Sequence, residues 1–189
     1  VAKSAQEVYV TGYSVDNSLF NWPQSGAYND QLASGGQRKA IVGKFDGSGN
    51  CLWSTYFGDG REAAYGIALD GLDRLLIVGE TDGTGLPIQP MSGATSWSYT
   101  GGTRDGFIAL FGSDDELLWC TPYGSDEDDA ATDVRASGTG FVVAGWSEGE
   151  VTTVDGGAFA YDQSTNAGGT DAFLLAFNQN AVCTWATPF

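Results

Sequence analysis

Residues 107–121 read FIALFGSDDELLWCT and consist of an apolar run, a short polar turn and a second apolar run. Two apolar runs joined by a turn rich in Ser and Asp are typical of an antiparallel β-hairpin, because these side chains bond the backbone at a bend. The stretch therefore predicts two adjacent strands, and its recurrence along the chain decides the fold.

The hairpin recurs at an interval of about 66 residues. Its markers keep one register: Trp53, Trp119 and Trp185; Phe45, Phe111 and Phe177; the pairs Gly35-Gly36, Gly101-Gly102 and Gly168-Gly169; and Gly12, Gly79 and Gly145. Self-similarity at a fixed period is the signature of a repeat architecture. The chain thus contains three copies of one structural unit.

Each copy contains four strand-like runs, which in the middle copy cover residues 63–69, 75–78, 107–111 and 117–121. The second and third runs are almost continuously apolar, which indicates burial on both faces. The first run is rich in Ala and Gly, as expected where strands crowd around an axis. Four-stranded antiparallel sheets repeated around an axis form a β-propeller, and this all-β fold is our prediction. A β-solenoid is the main alternative, but short D-G and S-G turns favour antiparallel hairpins.

Four segments carry a resemblance to a known family: residues 7–13 (EVYVTGY), 36–45 (GQRKAIVGKF), 52–58 (LWSTYFG) and 65–70 (YGIALD). They resemble the seven-bladed β-propeller repeat, or SBBP repeat, of secreted bacterial proteins. The resemblance covers essentially the whole chain. It implies a bacterial protein in an extracellular or cell-surface location and says almost nothing about an activity.

The repeat divides the chain, as one propeller segment over 1–189, into blades at about 1–58, 59–124 and 125–189. We expect the first blade to lack its inner strand, which leaves eleven strands in total. Propellers usually need 4 to 8 blades to close, so three blades would expose apolar faces at both ends. The segment is therefore expected to belong to a larger propeller. Its expected partners are other blades of the same protein or identical subunits packed head to tail.

Composition excludes several classes of function. The chain has 189 residues and no histidine, which excludes imidazole catalysis and His-ligated metals. Its 24 acidic and 8 basic residues leave a net charge of −16, which works against binding of nucleic acid. No apolar stretch approaches the roughly 20 residues that span a bilayer, so we expect no membrane insertion.

The long loops between the second and third runs carry aromatic residues. Aromatic platforms beside carboxylates suit sugar rings, so these loops form a candidate surface for glycans or surface proteins. The alternative is that the aromatics pack the loops onto the blades. The candidate residues are Trp22, Tyr28, Trp97, Tyr99, Phe159 and Tyr161.

The run SDEDD at residues 125–129 is the densest cluster of charge. Adjacent carboxylates repel one another, and a hard cation such as Ca²⁺ relieves that repulsion through oxygen ligands. Asp126, Asp128 and Asp129 are therefore candidate ligands of a structural calcium ion. A solvated acidic loop is the alternative, and we expect no other cofactor.

Cys51 and Cys183 occupy equivalent positions in the fourth run, whereas Cys120 lies three residues further along its own copy. Side chains alternate in direction along a strand, so Cys120 is expected to face the side opposite to the other two. This arrangement allows a Cys51–Cys120 or a Cys120–Cys183 bridge. Buried free thiols are the default expectation.

These features together predict a non-catalytic scaffold or assembly module. A module that binds carbohydrate or protein on the aromatic loops is the alternative hypothesis. A glycoside-active enzyme has less support, because no acid lies beside an evident apolar pocket that would raise its pKa.

Overall fold

The computed structural model describes residues 2–3, 6–15, 38–138, 140–158, 160–161, 163 and 165–189. This part of the chain folds into strands and turns, and none of it forms a helix that could cross a membrane. The strands are β1 (Ala2–Lys3), β2 (Glu7–Ser14), β3 (Lys39–Asp46), β4 (Cys51–Phe57), β5 (Ala63–Leu69), β6 (Leu75–Thr81), β7 (Asp105–Phe111), β8 (Leu117–Tyr123), β9 (Asp129–Ser137), β10 (Gly140–Ser147), β11 (Asp171–Phe177) and β12 (Cys183–Pro188).

The strands form three antiparallel sheets of four strands each, β1 to β4, β5 to β8 and β9 to β12. Strand order in each sheet follows chain order, so every connection is a hairpin between neighbours. This is the arrangement of β-propeller blades, and the predicted fold class is confirmed. We name the sheets the first, second and third blade, the space between the first two the first junction, and the space between the last two the second junction.

The first blade differs from the prediction in one respect, because it has an inner strand. Ala2 pairs with Tyr9 and Lys3 pairs with Val8, which places β1 where β5 and β9 lie in the other blades. A two-residue strand is too short to show an alternation of apolar and polar residues, so the sequence pattern did not indicate it.

The innermost strands bring the blades together. Strand β5 lies against β9 on one side and against β1 and β2 on the other. Gly66 of β5 shows how close this approach is, since a methyl group at its Cα would lie 2.9 Å from the Cα of Asp133 on β9. Small residues in the inner strand therefore let the blades converge on one axis, as the sequence indicated.

Two apolar clusters fill the junctions between blades. The second blade contributes to both, and every residue of β6 and β7 is buried. Strand β10 of the third blade instead alternates between buried and half-buried residues, because only one of its faces meets another blade. The continuous apolar runs of the sequence thus correspond to a blade packed on both faces.

A β-bulge in each outer strand overturns the expected orientation of the cysteines. In the second blade Leu110 pairs with Trp119 and Phe111 pairs with Leu117, so one extra residue is inserted between them. The same shift occurs in β4 and β12. An extra residue reverses the alternation, so an offset of three positions returns a side chain to the same face.

Cys120 and Cys183 therefore both face the preceding blade. Cys120 lies in the apolar cluster of the first junction and Cys183 in that of the second. All three cysteines, Cys51 included, are free thiols.

Candidate functional site

The described parts of the β6–β7 and β10–β11 loops share one face of the molecule with the connections between blades, and we call it the loop face. Asp59, in the connection from β4 to β5, donates its backbone N–H to the carbonyl of Gly85 in the β6–β7 loop at 2.9 Å. Glu148 donates in the same way to Asp128 at 3.0 Å. The short hairpin turns lie on the opposite face, where Arg74 Nη2 donates to the carbonyl of Gln179 at 2.8 Å.

Trp97 packs on the core of the second junction. Its ring centroid lies 4.9 Å from that of Tyr123 and 6.0 Å from that of Phe177, both in edge-on geometry. Its backbone N–H donates to Thr121 Oγ1 at 2.7 Å, which fastens the β6–β7 loop to β8. Trp97 therefore holds its loop against the blades.

The other described candidates for ligand stacking are Tyr99 and Tyr161. Tyr99 is 36% exposed and its hydroxyl donates to the carbonyl of Gly102 at 3.2 Å. Tyr161 is 55% exposed and stacks on Phe189 with a centroid distance of 5.0 Å. These two rings and Trp97 form no aromatic pair with one another, and Trp22, Tyr28 and Phe159 lie outside the described residues.

The acidic run on the loop face separates into residues with different surroundings. Asp126 is exposed, whereas Asp129 is fully buried. Asp128 accepts hydrogen bonds from the backbone and hydroxyl of Thr103 at 2.7 and 2.8 Å, and these bonds, with the nearby Arg104 guanidinium, hold its pKa below the usual range. No group of three or more His, Cys, Asp or Glu side chains is arranged to hold a metal ion in the described part of the chain.

The first junction contains a buried acid, Glu62, and a buried base, Lys39, whose ammonium lies 3.7 Å from Asp59 Oδ1. Glu62 and Lys39 are both 0% exposed. Lys39 Nζ donates to the carbonyl of Gly58 at 3.1 Å, and Glu62 Oε1 accepts from Thr81 Oγ1 at 3.1 Å. Burial raises the pKa of Glu62 to about 7, although the positive charge of Lys39 acts in the opposite direction.

The second junction contains two buried acids at the corresponding positions. Asp105 and Asp129 are both 0% exposed. Asp105 Oδ2 accepts from the backbone N–H of Thr100 at 3.0 Å, but its Oδ1 has no hydrogen-bond partner. Burial raises the pKa of Asp105 to about 6, and the charge of Asp129 adds to the effect. Burial also raises the pKa of Asp129.

The sequence analysis did not identify Lys39, Glu62 and Asp105 as candidate functional residues. Lys39 and Asp105 stand 66 residues apart, each at the start of an apolar run, so the repeat interval itself was a signal that could have found them. The burial of these polar positions could not be predicted, because it arises at the junctions, where segments distant in sequence meet.

An ionic network also links the blades near the loop face. Glu80 is 2% exposed and pairs with Arg38 of the first blade and, at 3.3 Å, with Arg104 of its own blade. Arg104 also lies 3.2 Å from Asp128, and its guanidinium stands 5.2 Å from the ring centroid of Trp146 in the third blade. All three blades are thus joined by contacts of these two arginines.

Residues 52–87 match the family model of the SBBP β-propeller repeat. The matched stretch runs from β4 of the first blade through β5 and β6 of the second, and so crosses the first junction. No curated protein matches the chain significantly.

Proposed function

Since residues 52–87 match the SBBP β-propeller repeat, we propose that the chain is a non-catalytic propeller scaffold whose two outer blade faces bind further propeller blades. The partner is a blade of the same repeat type, carried by the same polypeptide or by a second copy of this chain. The observation that carries the proposal is the difference in burial between equivalent residues of the three blades.

The outer face of the third blade, which we call the trailing face, is apolar. It presents Val142, Leu174, Ala176 and Trp185, all half-buried. Their equivalents in the second blade are all 0% exposed, because the third blade covers them: Leu76, Ile108, Leu110 and Trp119. The trailing face therefore repeats the chemistry of a surface that is buried wherever a following blade is present.

The outer face of the first blade, which we call the leading face, is also apolar. Val8, Val10 and Phe45 line a groove of about 520 Å³ on it. The equivalent residues of the second blade are buried, with Leu75 3%, Ile77 0% and Phe111 1% exposed. Contiguous apolar surface of this kind marks an interaction site in soluble proteins.

The two internal junctions show how a trailing face fits a leading face. Trp53 meets Phe111 with centroids 6.2 Å apart, and Trp119 meets Phe177 at 5.7 Å, both in edge-on geometry. Trp185 is held in the same way as Trp119, since each indole N–H donates to a carbonyl of its own blade's loop, at 2.6 and 2.9 Å. A trailing face is thus already shaped for a leading face. Two copies would supply six blades, within the usual range for a closed propeller.

Sedimentation velocity across a range of protein concentrations tests this proposal. We expect reversible association of the wild-type chain, and at least a hundredfold weaker association for Leu174→Glu, because docking would bury an unpaired charge. Leu72→Glu is the control, since Leu72 is 59% exposed on a hairpin turn away from both outer faces.

Thiol labelling gives a second measurement on the leading face. Cys51 is half-buried and stands at the repeat position of Cys183, which faces the preceding blade, so the repeat places Cys51 on the leading face. Association should therefore protect Cys51 from a thiol reagent. A wild-type chain that stays monomeric at high concentration, with constant reactivity of Cys51, would overturn the proposal of docking between copies.

An extracellular or cell-surface location in a bacterium is part of the same proposal, and the family resemblance supports it. The net charge of −16 supports solubility in such a setting.

Binding of glycans or proteins to the loop face is the second candidate function. The exposed stack of Tyr161 on Phe189 favours it, since stacked rings offer an apolar platform. The carbonyl of Tyr161 accepts the indole N–H of Trp185, so ligand binding there should change tryptophan fluorescence. A glycan titration that changes the fluorescence of wild type but not of Tyr161→Ala would support this candidate, and no change in wild type would oppose it.

A further inference from the structure

The second junction encloses a carboxylate oxygen that the protein itself does not satisfy. Asp105 stands at the start of β7 in the second blade, and Asp129 at the start of β9 in the third. Both residues are 0% exposed, and Oδ1 of Asp105 has no hydrogen-bond partner. A buried, unpartnered carboxylate oxygen costs free energy unless a positive charge or a donor reaches it.

Gly124 shows that the two carboxylates flank one small space. A methyl group at its Cα would lie 2.5 Å from Asp129 Oδ2 and 3.0 Å from Asp105 Oδ1. Asp129 Oδ2 also accepts the backbone N–H of Ser125 at 2.7 Å, and Asp105 Oδ2 accepts that of Thr100 at 3.0 Å. The oxygen that lacks a donor is therefore the one on the side of Asp129.

The first junction provides an internal comparison. Gly58 stands 66 residues before Gly124, and a methyl group at its Cα would lie 2.3 Å from Glu62 Oε2. Lys39, 66 residues before Asp105, donates its ammonium to the carbonyl of Gly58. At this junction the chain thus places a buried cation whose charge acts on Glu62, although the ammonium pairs with Asp59 at 3.7 Å and Glu62 Oε2 accepts no hydrogen bond. At the second junction a second acid stands in the place of that cation.

We propose that the second junction binds a hard divalent cation, for which Ca²⁺ is the probe, between the carboxylates of Asp105 and Asp129. The nearest basic side chain in the sequence, Arg104, is directed to Glu80 and Asp128 instead. Carboxylate and hydroxyl oxygens are the ligands that Ca²⁺ takes in proteins, and Thr100 and Ser125 carry hydroxyls that contact the two acids. The bound ion would tie β7 of one blade to β9 of the next.

The affinity of this site should be modest. It has two acidic side chains, no third His, Cys, Asp or Glu joins them in the described part of the chain, and water would complete the coordination. Dissociation constants on the order of 10⁻⁴ to 10⁻³ M are typical of extracellular calcium modules with such ligand sets. The site shares Asp129 with the candidate set Asp126, Asp128 and Asp129 of the sequence analysis, but buried Asp105 replaces Asp128 and the exposed Asp126.

Thermal unfolding of the whole chain in chelator and in Ca²⁺ tests the proposal at matched ionic strength. We expect 10 mM Ca²⁺ to raise the Tm of the wild type by roughly 4–8 °C relative to KCl. The increase should be absent in Asp105→Asn and retained in Asp126→Asn, which removes the same charge from the neighbouring loop. A wild-type Tm that is equal in Ca²⁺ and KCl, or an increase that persists in Asp105→Asn, would overturn the proposal.

Terbium luminescence on the wild type keeps the proposal testable if Asp105→Asn does not fold. Tyr123 directly precedes Gly124, so excitation of its ring should sensitise a Tb³⁺ ion at the site. We expect Tb³⁺ emission that millimolar Ca²⁺ displaces, and no such emission would overturn the site. A wild type that is insensitive to Ca²⁺ and less stable than a folded Asp105→Asn would instead mean that the two acids repel each other or share a proton with no metal ion between them, which also overturns it.

Discussion

Glu62 should make the stability of the protein depend on pH. Its side chain is 0% exposed, and its Oε2 has no hydrogen-bond partner. Burial raises its pKa from 4.5 to about 7, against the opposing charge of Lys39, while the charges of Asp82 and Asp59 raise it further. Between these two values the folded chain keeps a proton that the unfolded chain has released. The free energy of unfolding must therefore fall as pH rises through this window.

The shift corresponds to roughly 3 kcal/mol, present in full below about pH 4.5 and lost above about pH 7. Glu62→Gln keeps an acceptor for Thr81 but does not titrate. Relative to wild type, the variant should therefore gain about 3 kcal/mol between pH 4.5 and 7.5. At pH 4.5 residue 62 is neutral in both proteins, as protonated Glu or as Gln. Any effect of the substitution on the stability that does not depend on pH is therefore already measured at pH 4.5.

Urea unfolding followed by tryptophan fluorescence at pH 4.5, 6.0 and 7.5 measures this difference at constant ionic strength. Glu116→Gln, which removes one negative charge from an exposed turn, is the control. A difference between wild type and Glu62→Gln that stays constant over this range would refute the reasoning.

Three further predictions concern packing and thiols. Gly79→Ala should destabilise the protein by about 1–3 kcal/mol or more, because the new methyl group would lie 1.9 Å from the carbonyl oxygen of Ala63. Gly12→Ala, at the same repeat position with nothing within 4 Å, should be close to neutral, and equal effects in denaturant unfolding would contradict this explanation. Trp119→Ala should cost about 3–5 kcal/mol in the same assay, since the indole is 0% exposed between two blades, and a cost below 1 kcal/mol would argue against that junction. In the native protein a thiol reagent should modify Cys51 before Cys120, which is buried and whose pKa burial raises well above its ordinary value, whereas equal rates would contradict the bulged register of the outer strands.

Local patterns in the sequence were enough for the blade architecture. The 66-residue interval and the apolar second and third runs depend on which residues neighbour one another along the chain, and the structure confirms the sheets that they predicted. The crowding at Gly66 could also be predicted, because small residues in an inner strand indicate that neighbouring strands approach it closely.

The candidate sites were harder to predict, because their character depends on contacts between distant segments. Trp97 reads as an exposed loop aromatic in the sequence, but the fold packs it on Tyr123 and Phe177. Asp129 belongs in the sequence to an acidic run that could be solvated, but the fold buries it completely and close to Asp105.

The sequence by itself determined the number of repeats, the strand class and the apolar character of the second and third strands, since each follows from the spacing of residues along the chain. Only the tertiary structure decided which way the cysteines face, because a single bulge residue reverses the alternation of a strand. The tertiary structure also decided which polar residues are buried. Burial of Glu62 and Asp105 arises where one blade closes on the next, and no spacing along the chain reports that approach.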